Sequence, residues 1–362
     1  MKVLVSSLTS AFGGVESLFL SIVKNNNDPD MQFDFVCTDG TAAREEDFTA
    51  AGSKVIHIER PSRQLKSYKE NFKKLFEEGK YDVYHVNLTR YRFPLDVLIA
   101  KQCGVKVILH CHSTQIYDVG SLKYRIIRNI QQVVFRPLML EASRLNLACS
   151  DNAGQYLFRK HPYQILHNGI DLEKFRFSQE TRDRIRKELA LEGKKVIGHI
   201  GRFSLEKNHR YLLGVLEQLV KEDPDYVLLS AGDGDLFEEM KALAEEKGLQ
   251  EHVRLLGQRK DIQDLLSAMD VFVFPSIHEA LPITLIEAQA NGLPCVVSDY
   301  ITKEIDVLDT ITRLPLSEDK TAWVKAVQKA VSQRTAVDLE QFEEFDITKL
   351  LGRLKKLYQS MK

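Results

Sequence analysis

The chain has 362 residues, of which 44% are hydrophobic and 28% charged; this is globular usage with room for two domains, and it excludes a disordered or fibrous polypeptide. Fifty Lys and Arg stand against 51 Asp and Glu, a formal net charge of -1, so bulk charge excludes a general nucleic-acid binder. Five scattered cysteines with no C-x-x-C pair point to reduced thiols without structural zinc, and no apolar run approaches the roughly 20 residues that span a bilayer.

From Met1 the chain enters a strand pattern directly, so no secretory signal is expected ahead of the fold. Short β-branched runs at 2–6, 33–37, 54–58, 82–87, 105–110 and 144–149 predict strands. Segments of helical period separate them at 15–24, 64–78, 94–103 and 123–142. Such alternation predicts a parallel sheet covered on both faces. The turn-rich stretch His167-Asn168-Gly169-Ile170-Asp171 then closes the series. A second series follows, with strands at 195–200, 226–231, 252–256, 271–274 and 295–298 and helices at 210–221, 236–247, 262–268 and 282–291. Two Rossmann-like units in tandem are the economical reading, with ligands at the carboxyl ends of the strands. The tail from 338 to 362 carries Leu350, Leu351, Leu354, Leu357 and Tyr358 at helical spacing; with no strand after it, it must dock on an existing surface.

The neutral total conceals an asymmetry. Residues 60–160 hold 18 basic against 8 acidic side chains, a face that attracts an anionic membrane or a phosphate-bearing acceptor, or else a solvated cluster. Within it, segment 123–141 interleaves Lys123, Arg125, Arg128 and Arg136 with Tyr124, Ile126, Ile127, Ile130, Val133, Val134, Phe135 and Leu138. It reads either as an interfacial amphipathic helix or as a core-covering helix with its cations outward, and the second is the simpler expectation.

Four stretches carry candidate chemistry. Gly13-Gly14, between the first strand and helix, either lets a ligand approach the backbone or is a plain turn. There is no G-x-G-x-x-G, which argues against a dinucleotide cofactor. Arg202 and Lys207, in the loop after the strand at 195–200, either converge on one diphosphate or are two solvated cations, and the order of residues is not that of a P-loop. Glu279 lies in a loop and Glu287 in a helix started by Pro282; a carboxylate among Leu285, Ile286 and Ala288 needs donors, which sugar hydroxyls supply. Amides of Leu281 and Ile283 at the helix start would add phosphate contacts. His110-Cys111-His112 ends the fifth strand, weak as a metal set and open between a structural and a ligand-facing role.

Taken together and in chain order, Gly13-Gly14-Val15-Glu16, His110-Cys111-His112-Ser113, Asn168-Gly169-Ile170-Asp171, Gly201-Arg202 with Lys207, Gly232-Asp233-Gly234 and Glu279 with Glu287 resemble the retaining glycosyltransferases of the GT4 family. The run from Leu281 to Cys295 is most similar to the capsular and exopolysaccharide branch. The resemblance implies the α/β GT-B fold: two Rossmann-like parallel-sheet domains facing each other across a cleft, with a C-terminal helix crossing back to the first. Residues 1–170 would form the acceptor-side domain, 171–345 the nucleotide-sugar domain and 346–362 the returning helix. The implied activity is transfer from a nucleotide sugar, a UDP-sugar by family habit, to a glycan or lipid-linked acceptor in cell-surface polysaccharide synthesis.

The same resemblance implies roles. His112, Arg202, Lys207 and Glu279 would be catalytic. Arg202 and Lys207 would hold the donor diphosphate, Glu287 the ribose and Glu279 the transferred sugar. Leu281, Pro282 and Ile283 would line the sugar–phosphate junction, Gly14 the phosphates, and Gln258 and Arg259 the nucleobase. His112 would stand near the reacting sugar. The two cations would replace a metal, so no cofactor is expected beyond the nucleotide-sugar co-substrate. No nucleic acid is expected as partner, and the location would be cytoplasmic, with peripheral contact to the anionic inner face of the plasma membrane through the first domain. Ala280 departs from the family glycine after the first acid, and Asp235 replaces a frequent proline. Two other readings stay open: a sugar-nucleotide epimerase or phosphorylase of the same fold, and a non-catalytic sugar-nucleotide-binding subunit.

Overall fold

The structure is a computed structural model that describes residues 1–10, 12–60, 64–114, 126–127 and 129–361. The chain divides into two units, Met1–Ile170 with Glu344–Lys362, and Asp171–Glu343.

In the first unit the strands are β1 (Lys2–Leu8), β2 (Gln32–Cys37), β3 (Val55–His57), β4 (Val83–Leu88), β5 (Lys106–Cys111), β6 (Ser143–Ala148) and β7 (Gln164–Ile165). They form one parallel sheet in the order β3-β2-β1-β4-β5-β6-β7. Helices α1 (Gly14–Asn25), α2 (Glu45–Ala50), α3 (Leu65–Gly79), α4 (Leu95–Gln102), α5 (Arg136–Ala142) and α6 (Asp151–Phe158) connect them. Every residue of β4 is buried, as a strand covered on both faces requires.

The second unit repeats the plan. Strands β8 (Lys195–Ile200), β9 (Tyr226–Ala231), β10 (Val253–Leu255), β11 (Val271–Phe274), β12 (Cys295–Ser298) and β13 (Ile311–Leu314) stand in the order β10-β9-β8-β11-β12-β13. Its helices are α7 (Gln179–Glu188), α8 (His209–Glu222), α9 (Phe237–Glu246), α10 (Ile262–Ala268), α11 (Ile283–Ala290) and α12 (Thr321–Ala330). In both sheets strand order reverses beside the first strand, at β1/β4 and β8/β11. Loops diverge there, and open α/β sheets take ligands at that point beyond the strand carboxyl ends.

The last helix, α13 (Ile347–Ser360), belongs to the first unit. Asp346 caps it by accepting from the Thr348 amide at 2.7 Å, and Ile347, Leu350, Leu351, Leu354 and Tyr358 pack with Leu18, Phe19 and Ile22 of α1 in that unit's core. Ile170 joins the segment through amide–carbonyl bonds with Phe345 and Ile347 at 2.7 and 3.0 Å. A Cβ on Gly169 would lie 3.0 Å from the Ile347 Cα, which explains the glycine in that turn.

The segment expected as a single helix over 123–142 departs from that expectation. Lys123, Tyr124, Arg125 and Arg128 lie outside the described residues. Gln131–Phe135 winds as a π-turn before α5, and the extra residue rotates the side chains that follow. The core-covering reading fails for the aliphatic residues between 126 and 138, whereas Met139 and Ala142 of α5 are buried. Ile126, Ile127, Ile130, Val134 and Leu138 are exposed and Val133 is 73% exposed, whereas Arg136 donates to the Phe158 carbonyl at 3.1 Å.

Candidate functional site

In the second unit, β8 ends in a loop shaped by glycines. A Cβ on Gly232 would sit 2.0 Å from the Gly201 carbonyl oxygen, and one on Gly234 2.5 Å from that of Phe203; both residues have positive φ, 145° and 155°. The loops after β8 and β9 are thus pressed backbone to backbone. Leu205–Lys207 then makes a 3₁₀ turn, and Asn208 follows with φ 57° before α8. Two bonds tie this turn to the loop after β11: the Ile277 amide donates to the Glu206 carbonyl at 2.9 Å, and Asn208 Nδ2 to the Pro275 carbonyl at 3.2 Å.

That tie brings Lys207 to Glu279. Lys207 Nζ lies 2.6 Å from Glu279 Oε1, with side chains 17% and 14% exposed, and 4.8 Å from the centroid of the Phe274 ring. The ammonium is therefore held by a carboxylate and a π-face rather than by water. Arg202, in the same loop, is exposed and makes no ion pair among the described residues.

Leu281 and Pro282 are buried and Ile283 half-buried where α11 begins; the Ile283 and Thr284 amides precede any intrahelical acceptor, while the Leu285 amide donates to the Pro282 carbonyl at 3.0 Å. Glu287 lies one turn further along. Its carboxylate accepts no hydrogen bond among the described residues, and dehydration raises its pKa to about 7 against the partial relief of the Lys174 charge. Gln289 fixes the helix that carries it. Wholly buried, it donates to the Leu285 and Ile305 carbonyls at 3.0 and 2.8 Å and accepts from the Val307 and Leu308 amides, both at 3.1 Å. Asn291 adds bonds to the Phe175 carbonyl and Ser267 Oγ at 2.8 and 3.2 Å. Nothing in the residue pattern announces these two roles: Gln289 stands in α11 beside Glu287, and Asn291 just beyond its end.

Gln258 is exposed in the loop after β10, and the Gly257 carbonyl accepts from the Gly232 amide at 2.8 Å. The Arg259 guanidinium is occupied: Asp261 takes it in a fork at 2.8 and 2.6 Å, with Glu188 at 3.5 Å. Asp233-Gly234-Asp235 is an acid-x-acid triplet beyond β9, and Asp233 Oδ1 accepts from the Gly234 amide at 2.8 Å.

The remaining candidates lie in the first unit. A Cβ on Gly14 would meet nothing within 4 Å, so its backbone is open to approach; behind it Glu16 accepts from the Gly13 amide at 3.1 Å and from Thr9 Oγ1 at 2.9 Å. His112 follows β5 with Nε2 3.0 Å from Asn87 Oδ1 and its ring centroid 3.9 Å from that of His110. Burial lowers its pKa to about 3, so the ring is neutral. Behind it runs a chain the sequence did not disclose: His110 Nδ1 to His85 Nε2 at 3.0 Å, and His85 Nδ1 to Tyr358 Oη of α13 at 2.8 Å. A cavity of about 600 Å³ opens beyond β1 and β4, lined by Glu16, Thr38, Asn87, Arg90 and Phe93 among others.

Residues 12–174 match the family model described as Glycosyltransferase Family 4, and residues 181–341 the model described as Glycosyl transferases group 1. EpsF of Bacillus subtilis (strain 168), named for glycosyl transfer, is 32% identical over 334 residues, 88% of this chain and 85% of that protein. The UDP-Gal:alpha-D-GlcNAc-diphosphoundecaprenol alpha-1,3-galactosyltransferase of Escherichia coli is 27% identical over 80% of this chain and 78% of its own. Among solved structures, Anabaena HepE in complex with UDP and glucose superposes with a TM-score of 0.78 at 18% identity, covering 99% of this chain and all of that one, which supports the GT-B fold. With two glycosyltransferase models matched in succession and a relative 32% identical across 88% of this chain, the chain belongs to the GT4 family of glycosyltransferases.

Proposed function

We propose that this enzyme transfers a sugar from a UDP-sugar, with retention and without a metal, to a lipid-linked or glycan acceptor in cell-surface polysaccharide assembly. The observation that carries the reading is the loop edge of the second unit. There an exposed Arg202, a Lys207 held by Glu279 and a carboxylate at Glu287 lacking donors stand beyond strands β8 and β11 and on α11. These groups are complementary to a diphosphate, a sugar and a ribose.

In the reaction the anomeric C–O bond breaks as negative charge gathers on the departing diphosphate. Arg202, Lys207 and the first-turn amides of α11 lower that charge's energy without reorganising water. The acceptor oxygen attacks the same face, and its proton passes to the leaving phosphate oxygen. When the diphosphate draws Lys207, Glu279 is released to accept from a sugar hydroxyl. Glu287 takes ribose hydroxyls as donors and thereby regains the hydrogen bonds it lacks. Leu281 and Pro282 wall the junction, and the backbone of Gln258 and Arg259 meets the base, since the Arg259 side chain is already paired.

The acceptor class takes support from the lipid diphosphate in the name of the Escherichia coli relative and from the capsular name of the Staphylococcus aureus relative CapH, 24% identical over 96% of this chain. No described helix is long and apolar enough to cross a membrane, so the aliphatic stripe of residues 126–138 is offered as a peripheral contact with the inner, anionic face. A cytoplasmic setting suits five cysteines none of which is disulfide-bonded. The test is a thermal-shift panel of UDP-, GDP- and ADP-sugars, repeated with EDTA. Selective stabilisation by one UDP-sugar, unchanged by EDTA, is expected. Preference for another nucleotide overturns the donor, and loss of binding with EDTA overturns metal independence and points to Asp233 and Asp235. Turnover without an acceptor would favour an epimerase, and binding without any turnover a non-catalytic subunit.

A further inference from the structure

We propose that the acceptor is a sugar joined to an aliphatic lipid through a phosphate ester, and that Arg90 of the first unit selects it by binding that phosphate. That assignment rests on the glycosyl transfer already proposed, and it commits to a lipid-borne acceptor over a free glycan.

The loop between β4 and α4, residues 89–94, leaves the sheet where strand order reverses. Its Arg90, Arg92 and Phe93 line the cavity of about 600 Å³ that opens there, a volume usual for small-molecule sites. Two anchors set the loop. Tyr91, wholly buried, donates its hydroxyl to the Leu157 carbonyl at 3.0 Å. Arg92 forks the buried Asp96 carboxylate at 2.8 and 2.6 Å, and the Tyr84 hydroxyl donates to the same carboxylate at 2.6 Å. The residues flanking these anchors, Arg90 and Phe93, are thereby presented to the cavity. The cations of the lining differ in what they can still bind. Arg92 is spent on Asp96, and Arg60 on Asp39, Nε to Oδ1 at 2.9 Å. Arg90 is exposed and has neither an ion pair nor a hydrogen bond among the described residues. Its planar fork matches a pair of phosphate oxygens. Phe93 supplies the apolar half of the site. Its ring is 41% exposed and meets the Phe135 ring edge-on at 5.7 Å, so the rim of the cavity runs into the exposed aliphatic residues Val133 and Val134. A guanidinium in the same loop as the start of an apolar path fits a molecule whose anionic group joins a polar head to an aliphatic tail. A free glycan fills neither feature, and a free phosphate leaves the path empty.

The test is calorimetric titration of octyl phosphate, octanol and inorganic phosphate into the full chain with UDP saturating, so that the cations of the second unit are already occupied. Octyl phosphate should bind about tenfold or more tightly than either fragment, because it alone meets both halves of the site. Arg90→Ala should weaken octyl phosphate by about tenfold, the loss of roughly one charge-assisted contact, and leave octanol unchanged. Arg90→Lys, which keeps the charge without the fork, should restore part of the affinity. Phe93→Ala should weaken octyl phosphate and leave inorganic phosphate unchanged. Octyl phosphate bound no better than octanol, or bound equally well by the Arg90→Ala protein, overturns the inference. A phospholipid head group carries the same chemistry, so wild type and Arg90→Ala are also sedimented with phosphatidylglycerol vesicles. Equal sedimentation is expected; a loss in the variant as large as its loss for octyl phosphate would make Arg90 a bilayer contact and overturn its selection of the acceptor. A wild-type protein that binds no UDP-sugar removes the donor reading, while the octyl phosphate series continues to judge Arg90.

Discussion

Lys207 and Glu279 satisfy each other in the absence of ligand, so the second unit meets a donor with its mobile cation already placed and partly neutralised. Lys207→Ala should lower kcat by about 10²–10³-fold, the usual cost of removing one preorganised partner for developing charge, and should also lower the melting temperature, because it takes the cation away from a largely buried Glu279 carboxylate. Steady-state kinetics beside a thermal scan checks both halves. Glu287 supplies a pH signature. With its pKa raised to about 7, the carboxyl is mostly protonated at pH 6 and mostly ionised at pH 8. Ribose hydroxyls donate to the anion, so donor affinity should rise about tenfold across that interval and flatten in Glu287→Gln. The sign for stability is opposite. A raised acid stabilises the fold below its unfolded pKa, and that stability is lost as pH climbs through 7. The glutamine variant should therefore gain in melting temperature over wild type at pH 8 and gain little at pH 5, as calorimetry will show.

At the scale of elements, legibility followed the source of each element's stability. Strands β8, β9, β11 and β12 and helix α10 run over the residues their apolar patterns predict, because each is buried on the pattern that announces it. Helix α7 carries no such pattern: only Ile185 is buried, and it is Arg182 and Arg186 that dock it, on Asp270 and on carbonyls at the end of α10. Asp270→Ala should cost about 3–5 kcal/mol in urea unfolding by leaving two half-buried guanidinium groups unpaired. A loss below about 1 kcal/mol would mean the helix is held by something else. Helix α12, by contrast, has a plain helical period at Trp323, Val324, Val327 and Ala330 that was present but went unread. In the site, residue types were legible and pairings were not. Nothing in spacing ties Lys207 to a residue 72 positions on, or Asn87 to His112, because those meetings follow from sheet order. Likewise the π-turn before α5 is invisible to a helical-period count and turns the aliphatic residues outward.

At the scale of the molecule, one strand order is used twice, and each unit places its polar chemistry where that order reverses. The first unit adds an outward aliphatic face. Val133→Glu, at a position 73% exposed, should leave the melting temperature unchanged and reduce co-sedimentation with phosphatidylglycerol vesicles; unchanged sedimentation would make the stripe a contact for something other than lipid. The central claim, that positive charge beyond β8 receives the diphosphate of the donor, is tested most directly by calorimetric titration of UDP and of uridine into the wild type and into the Arg202→Ala, Lys207→Ala double variant. The wild type should prefer UDP to uridine by about 10²-fold or more, and the variant should lose that preference while still binding uridine. A double variant that retains the full preference for UDP would contradict it.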